Sequence, residues 1–115
     1  MVARGYVPDA GDLIWIDFDP QAGHEQAGRR PVLILSHGVF NERSGTVIAL
    51  AMTSQEPRAG FPLTLESQAT GLAKRSWIKI SQIRTLSTDR IGRPIARASE
   101  EELARVLDGL NEIVG

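Results

Sequence analysis

At 115 residues, 42% hydrophobic, 23% charged and net charge −1, the sequence has the composition of one globular domain spanning 1–115. It contains no cysteine, which excludes disulfides and thiolate chemistry, and no apolar run near the roughly 20 residues needed to cross a bilayer. Its first residues lack the apolar stretch of a secretory signal, so a cytoplasmic location is expected.

Short β segments separated by Gly and Pro turns make up most of the chain. Residues 12–18 read as a first strand, with Ile14, Ile16 and Phe18 on one face and Trp15 and Asp17 on the other. A polar, glycine-punctuated loop covers 19–28. Arg29 and Arg30 follow, directly before the apolar run 31–36, a buried strand that Pro31 can open without removing a central ladder bond. Residues 37–44 suit one turn of helix or a loop. Residues 46–52 form a third strand buried on both faces, and Thr53–Gly60 is a loop. Leu63 and Leu65, split by Thr64, mark a short half-buried strand. Residues 72–86 hold more strand, with Ile78, Ile80 and Gln82 alternating against Trp77, Lys79 and Ser81, and Asp89–Pro94 reads as a turn. Ser99 and Glu102 form the Ser-x-x-Glu signature of a capping box. Leu103, Val106, Leu107, Leu110, Ile113 and Val114 then recur at helical spacing. The expected architecture is mainly β, an SH3-like small barrel with a C-terminal α-helix.

The small net charge conceals an uneven distribution. Residues 57–98 carry eight basic side chains against two acids, whereas 1–28 and 99–115 each carry one Arg against five acids. A polyanion-binding face is one reading of the basic middle; a solvated surface beside an acidic helix is the other. No Walker-type loop, dinucleotide fingerprint, nucleophile-elbow serine or metal-ligand spacing is present, and His24 and His37 are the only histidines. Asp12, Asp17, Asp19 and Glu25 cluster early, a pattern that strand-end and turn chemistry accounts for better than a metal site does. Arg29 and Arg30 stand where a loop meets a fixed strand. A guanidinium there is a permanent charge whose fork of donors matches phosphate oxygens, or else a surface ion pair with Glu25. Thr53 and Ser54, at the end of the third strand, add hydroxyls that can meet a neighbouring strand's start. Phe18, Phe40, Phe61 and Trp77 are either core or base-stacking groups, and Phe18 and Phe61 adjoin polar loops.

The run Asp12–Ser36, with Trp15, Asp17-Phe18-Asp19-Pro20, Gly23, Glu25-Gln26, Gly28 and Arg30-Pro31, closely resembles the MazF/PemK family of bacterial toxins. The likeness continues through Met52-Thr53-Ser54-Gln55, Ser81-Gln82-Ile83-Arg84 and Arg90-Ile91-Gly92 to the C-terminal helix, and so spans essentially the whole chain. The resemblance implies a toxin of a toxin–antitoxin system: a sequence-specific, metal-independent endoribonuclease that cuts single-stranded mRNA. It implies 2′,3′-cyclic phosphate and 5′-hydroxyl ends, no cofactor, a homodimer, and a cognate antitoxin whose acidic tail fills the RNA groove. It places the catalytic arginine at Arg30 and the catalytic threonine at Thr53. Phe18, Glu25, Arg29, Ser54, Gln55 and Arg84 are the candidate RNA contacts; at Arg29 some family members carry histidine. The C-terminal helix and strand 46–52 are the candidate dimer faces. Two other activities stay open on the same frame: gyrase poisoning through the end of the C-terminal helix, and RNA binding without cleavage.

Overall fold

Chain neighbours on the strands fall into two different apolar clusters, which fixes the layering of the molecule. In the computed structural model, which describes residues 6–17 and 29–115, Leu13, Leu33 and Leu50 join one cluster, and Ile14, Val32 and Ala49 join the other. Side chains alternate across a strand, so the sheet is buried on both faces. The strands are β1 (Asp12–Asp17), β2 (Arg29–Ile34), β3 (Thr46–Thr53), β4 (Thr64–Glu66), β5 (Trp77–Ser87) and β6 (Ile91–Arg97), with helices α1 (Gly38–Ser44) and α2 (Glu100–Val114). They form one antiparallel, barrel-like sheet in the order β4-β5-β3-β2-β1-β6. Among the described residues no pairing closes β4 onto β6.

Helix α2 covers the first cluster through Val106, with Leu103 and Leu110 partly buried beside it. Tyr6 and Leu86 pack against the second. Ser99 caps α2, its Oγ accepting the Glu102 N–H at 3.0 Å. The other half of the expected capping box is replaced, because the Glu102 carboxylate leaves the helix for the 67–76 loop. Helix α1 has no cap from its own N-cap residue His37. Asp9, remote in sequence, supplies one by accepting the Gly38 N–H at 2.8 Å. Together with the Ala10 N–H, this bond holds the Asp9 carboxyl below its ordinary range.

Three expectations change. The Asp89–Pro94 turn is a 3-10 turn at Thr88–Arg90, after which β6 begins at once. Among the described residues β6 pairs only with β1, so Pro94 sits on an edge strand beside a register shift, where a missing N–H is tolerated. In β4 the buried residue is Thr64, its hydroxyl donating to Ala59 O at 2.6 Å, while Leu63 is 41% exposed. The alternation in β5 holds only as far as Ile80; Ser81–Thr85 are all exposed. Strand β3 lies in the interior of the sheet between β5 and β2.

Candidate active site

The ladder between β2 and β3 pairs Val32 with Ala51. Carried two residues beyond its last pair, the same antiparallel register brings Arg30 level with Thr53, the last residue of β3. On the other side, Arg30 pairs with Ile16 and Arg29 with Asp17 of β1. The Arg30 backbone is thus paired with β1 at that residue, and β2 is paired with β3 from Val32 onward, while the guanidinium itself is exposed.

Arg30, Pro31, Met52 and Thr53 form the divide between two depressions. The larger, about 750 Å³, also takes in Trp15, Arg29, Ser54 and Gln55, with the 71–76 stretch and Ile95 as its far wall. The smaller, about 120 Å³, adds Lys79, Gln82 and Arg84. A large irregularity builds the smaller one. Leu50 pairs with Ile83 and Met52 with Ile78, so two residues of β3 span five of β5. Such a bulge re-aims side chains, and here Lys79, Gln82 and Arg84 reach one depression despite their mixed sequence parity.

Five cations, Arg29, Arg30, Lys74, Lys79 and Arg84, line the two depressions, and no carboxylate does among the described residues. Arg29 lies 4.0 Å from Asp17, with both side chains more than half exposed, so water screens that pair strongly. Thr53 Oγ1 accepts the Gln55 N–H at 3.1 Å, which fixes the hydroxyl while leaving its proton to donate. The surface can thus hold a phosphate group from two sides: a permanent cation on one strand and a hydroxyl donor on the next.

Of the expected site residues, Arg29, Arg30, Thr53, Ser54 and Gln55 share the larger groove, and Arg84 joins through the smaller depression. Phe18 and Glu25 lie outside the described residues, as do Asp19 and His24. Asp12 is structural. It accepts from Tyr6 Oη at 3.0 Å and the Asp9 N–H at 2.9 Å, and it pairs with Arg97. Phe61 packs under α2 against the first cluster, with the Arg105 guanidinium 4.0 Å from its ring centroid, and does not line the groove. Trp77 is 8% exposed, below Arg75, which forms a two-bond ion pair with Glu66 and holds that carboxyl below its ordinary range. The groove aromatic is Trp15, which sequence reasoning put on the strand face opposite Ile14 and Ile16 without assigning it a role. Lys74, Lys79 and Gln82 are further additions, which only the loop path and the bulge reveal.

Residues 9–114 match the family model of PemK-like, MazF-like toxins of type II toxin–antitoxin systems. The chain belongs to this family. It is 36% identical to the endoribonuclease toxin MazF of Escherichia coli K12 over the full length of both chains. It is also similar to two solved structures from Deinococcus radiodurans. MazF is 37% identical with a TM-score of 0.78, covering 96% of this chain and 98% of that one. The MazE–MazF structure is 34% identical with a TM-score of 0.80 and the same coverage. The fold of this PemK/MazF toxin is thus shared along nearly all of its length, including both strands that present Arg30 and Thr53.

Proposed function

We infer that the protein is an endoribonuclease toxin that cuts single-stranded mRNA at a short sequence, without a metal, from the groove divided by Arg30 and Thr53. The carrying observation is that Arg30 and Thr53, on adjacent strands, line both depressions, and that among the described residues these are lined by five cations and by no carboxylate. Membership of the toxin family and the likeness to a full-length MazF endoribonuclease support the same reading. In the reaction, the RNA 2′-oxygen attacks the adjacent phosphorus and the bond to the 5′-oxygen breaks. A 2′,3′-cyclic phosphate and a 5′-hydroxyl result. Arg30 neutralises the charge that grows on the phosphorane oxygens, and Thr53 donates a hydrogen bond to one of them. Trp15, Arg29, Ser54 and Gln55 hold the flanking nucleotides, and Lys74, Lys79 and Arg84 hold their phosphates. Phe18 and Glu25 belong to the same RNA-binding set by resemblance.

A cognate antitoxin with an acidic segment fits the same cationic groove, which makes inhibition a competition for the RNA path. Two copies of the chain form a homodimer, a reading supported by the apolar side chains left exposed at Ile83 on β5 and at Leu107 and Val114 on α2. No helix among the described residues is long and apolar enough to cross a membrane, and an mRNA substrate places the action in the cytoplasm.

The test is cleavage of a long single-stranded RNA in excess EDTA by the wild-type chain, Arg30→Ala and Thr53→Ala. Cuts at one motif with cyclic-phosphate ends are expected from the wild type. Thr53→Ala should lower kcat by about 10²-fold, as loss of one oxyanion donor does, and Arg30→Ala should lower it further. Undiminished cutting by Arg30→Ala would overturn the assignment, and cutting that requires added metal would overturn the mechanism.

A further inference from the structure

The far wall of the larger groove is a loop, and a helix carboxylate holds it. Ser67 donates its backbone N–H to Ser76 O at 2.9 Å, closing the neck of the 67–76 segment. Between these two buried serines, Gly71, Leu72, Ala73 and Lys74 face Arg30 and Thr53 across the groove. Glu102 is the third residue of α2. In a full capping box its carboxylate would turn back to the Ser99 N–H. Here its Oε2 accepts the Ser67 O–H and its Oε1 accepts the Gln68 N–H, each at 2.7 Å. Glu102 is 7% exposed, and no cation pairs with it among the described residues.

Burying a carboxylate is costly unless hydrogen bonds compensate, and apolar contacts alone could have fastened the loop. Ala69 and Leu72 already pack on the cluster that contains Val106. Two donors on consecutive residues, held by the two oxygens of one carboxylate, add direction: they fix both the position and the rotation of the loop stem. At the other end, Gly71 has φ +98°, and a Cβ there would stand 3.1 Å from Ile95 O, so the loop tip lies close against β6. The wall is held between α2 and β6.

We propose that Glu102 is a positioning residue for RNA binding: by clamping Ser67 and Gln68 it sets the groove wall, and Lys74 with it, at the distance single-stranded RNA requires. This rests on the ribonuclease reading above. Glu102→Ala removes both bonds. Glu102→Gln keeps an acceptor for Gln68 and gains an amide that can donate to Ser67 Oγ. Ser67→Ala removes the bond to Glu102 together with the one its Oγ accepts from the Ala69 N–H at 3.2 Å, and leaves the helix cap untouched.

The experiment measures kcat and KM for an RNA containing the cleavage motif, with amide exchange at Gln68, for the wild type and these three variants well below their melting temperatures. For Glu102→Ala we expect KM to rise about tenfold, the equivalent of ~1.4 kcal/mol, with kcat nearly unchanged and Gln68 exchange accelerated. Ser67→Ala should move the same way by less, and Glu102→Gln should stay near wild type. If Glu102→Ala does not fold, Ser67→Ala against Glu102→Gln carries the comparison. Faster Gln68 exchange with an unchanged KM overturns the proposal, as does a loss of activity that only tracks the folded fraction. A wild-type chain that cuts no RNA overturns the ribonuclease reading and this role with it, whereas a cutting wild type beside a variant of unchanged KM overturns the clamp alone.

Discussion

Tyr6 shows how one residue ties stability to pH. Burial, and then the charge of Asp12 that accepts its hydroxyl at 3.0 Å, push the phenol well above its ordinary range. A pKa raised by folding means that the neutral phenol is the form the fold favours. The resulting stability is complete below the unfolded value of about 10 and is lost as pH rises beyond it. Thermal melts across that alkaline range should therefore fall more steeply for the wild type than for Tyr6→Phe. The variant should also be less stable at neutral pH by about 1 kcal/mol for the lost hydrogen bond. At this scale much of the site was legible. Arg30 and Thr53 stand out because each marks a junction between apolar strand and polar loop, and the position of Trp15 follows from strand parity. Lys79 could not be grouped with Gln82 and Arg84 beforehand, since a strict period of two sends Lys79 to the opposite face. Phe61 misled for the converse reason: adjacency to a polar loop in sequence says nothing of the helix that packs over it.

Among the elements, α2 depends on a residue that its apolar periodicity ignores. A Cβ at Gly109 would fall 2.9 Å from Ile80 Cδ1 and 3.1 Å from both Phe61 Cε2 and Pro62 O. Alanine at 109 gains roughly 1 kcal/mol in helix propensity but forces overpacking worth about 1–3 kcal/mol. Gly109→Ala should therefore lower Tm by roughly 5 °C, with cleavage per folded molecule retained because Gly109 lies outside the groove. The elements themselves were legible wherever an apolar period was uninterrupted, as in β1, β2, β3 and α2. β6 was hidden by Gly92 and Pro94, which read as turn residues. In the structure Gly92 is needed because Trp15 O lies 3.2 Å from where its Cβ would be, and Pro94 occupies an edge. Tertiary closeness, not local preference, explains both.

Over the whole molecule, net charge is a poor guide to the partner. A chain of net charge −1 concentrates five cations around one divide, and among the described residues no carboxylate lines it. Affinity for single-stranded RNA should consequently fall with added salt. If three phosphates are neutralised, log affinity against log salt should have a slope of about −2, and Lys79→Ala should make it shallower by about 0.7. A slope near zero in a fluorescence titration would mean that the cations do not meet the RNA backbone. The placement of Arg30 and Thr53 on adjacent strands has a consequence of another kind. The groups that would break the phosphodiester are mounted on the sheet, whereas Ser54, Gln55 and the 67–76 wall belong to loops that the sheet merely carries. A lineage, or an engineer, could then exchange the loops and redirect the nuclease to another sequence without rebuilding the part that cuts.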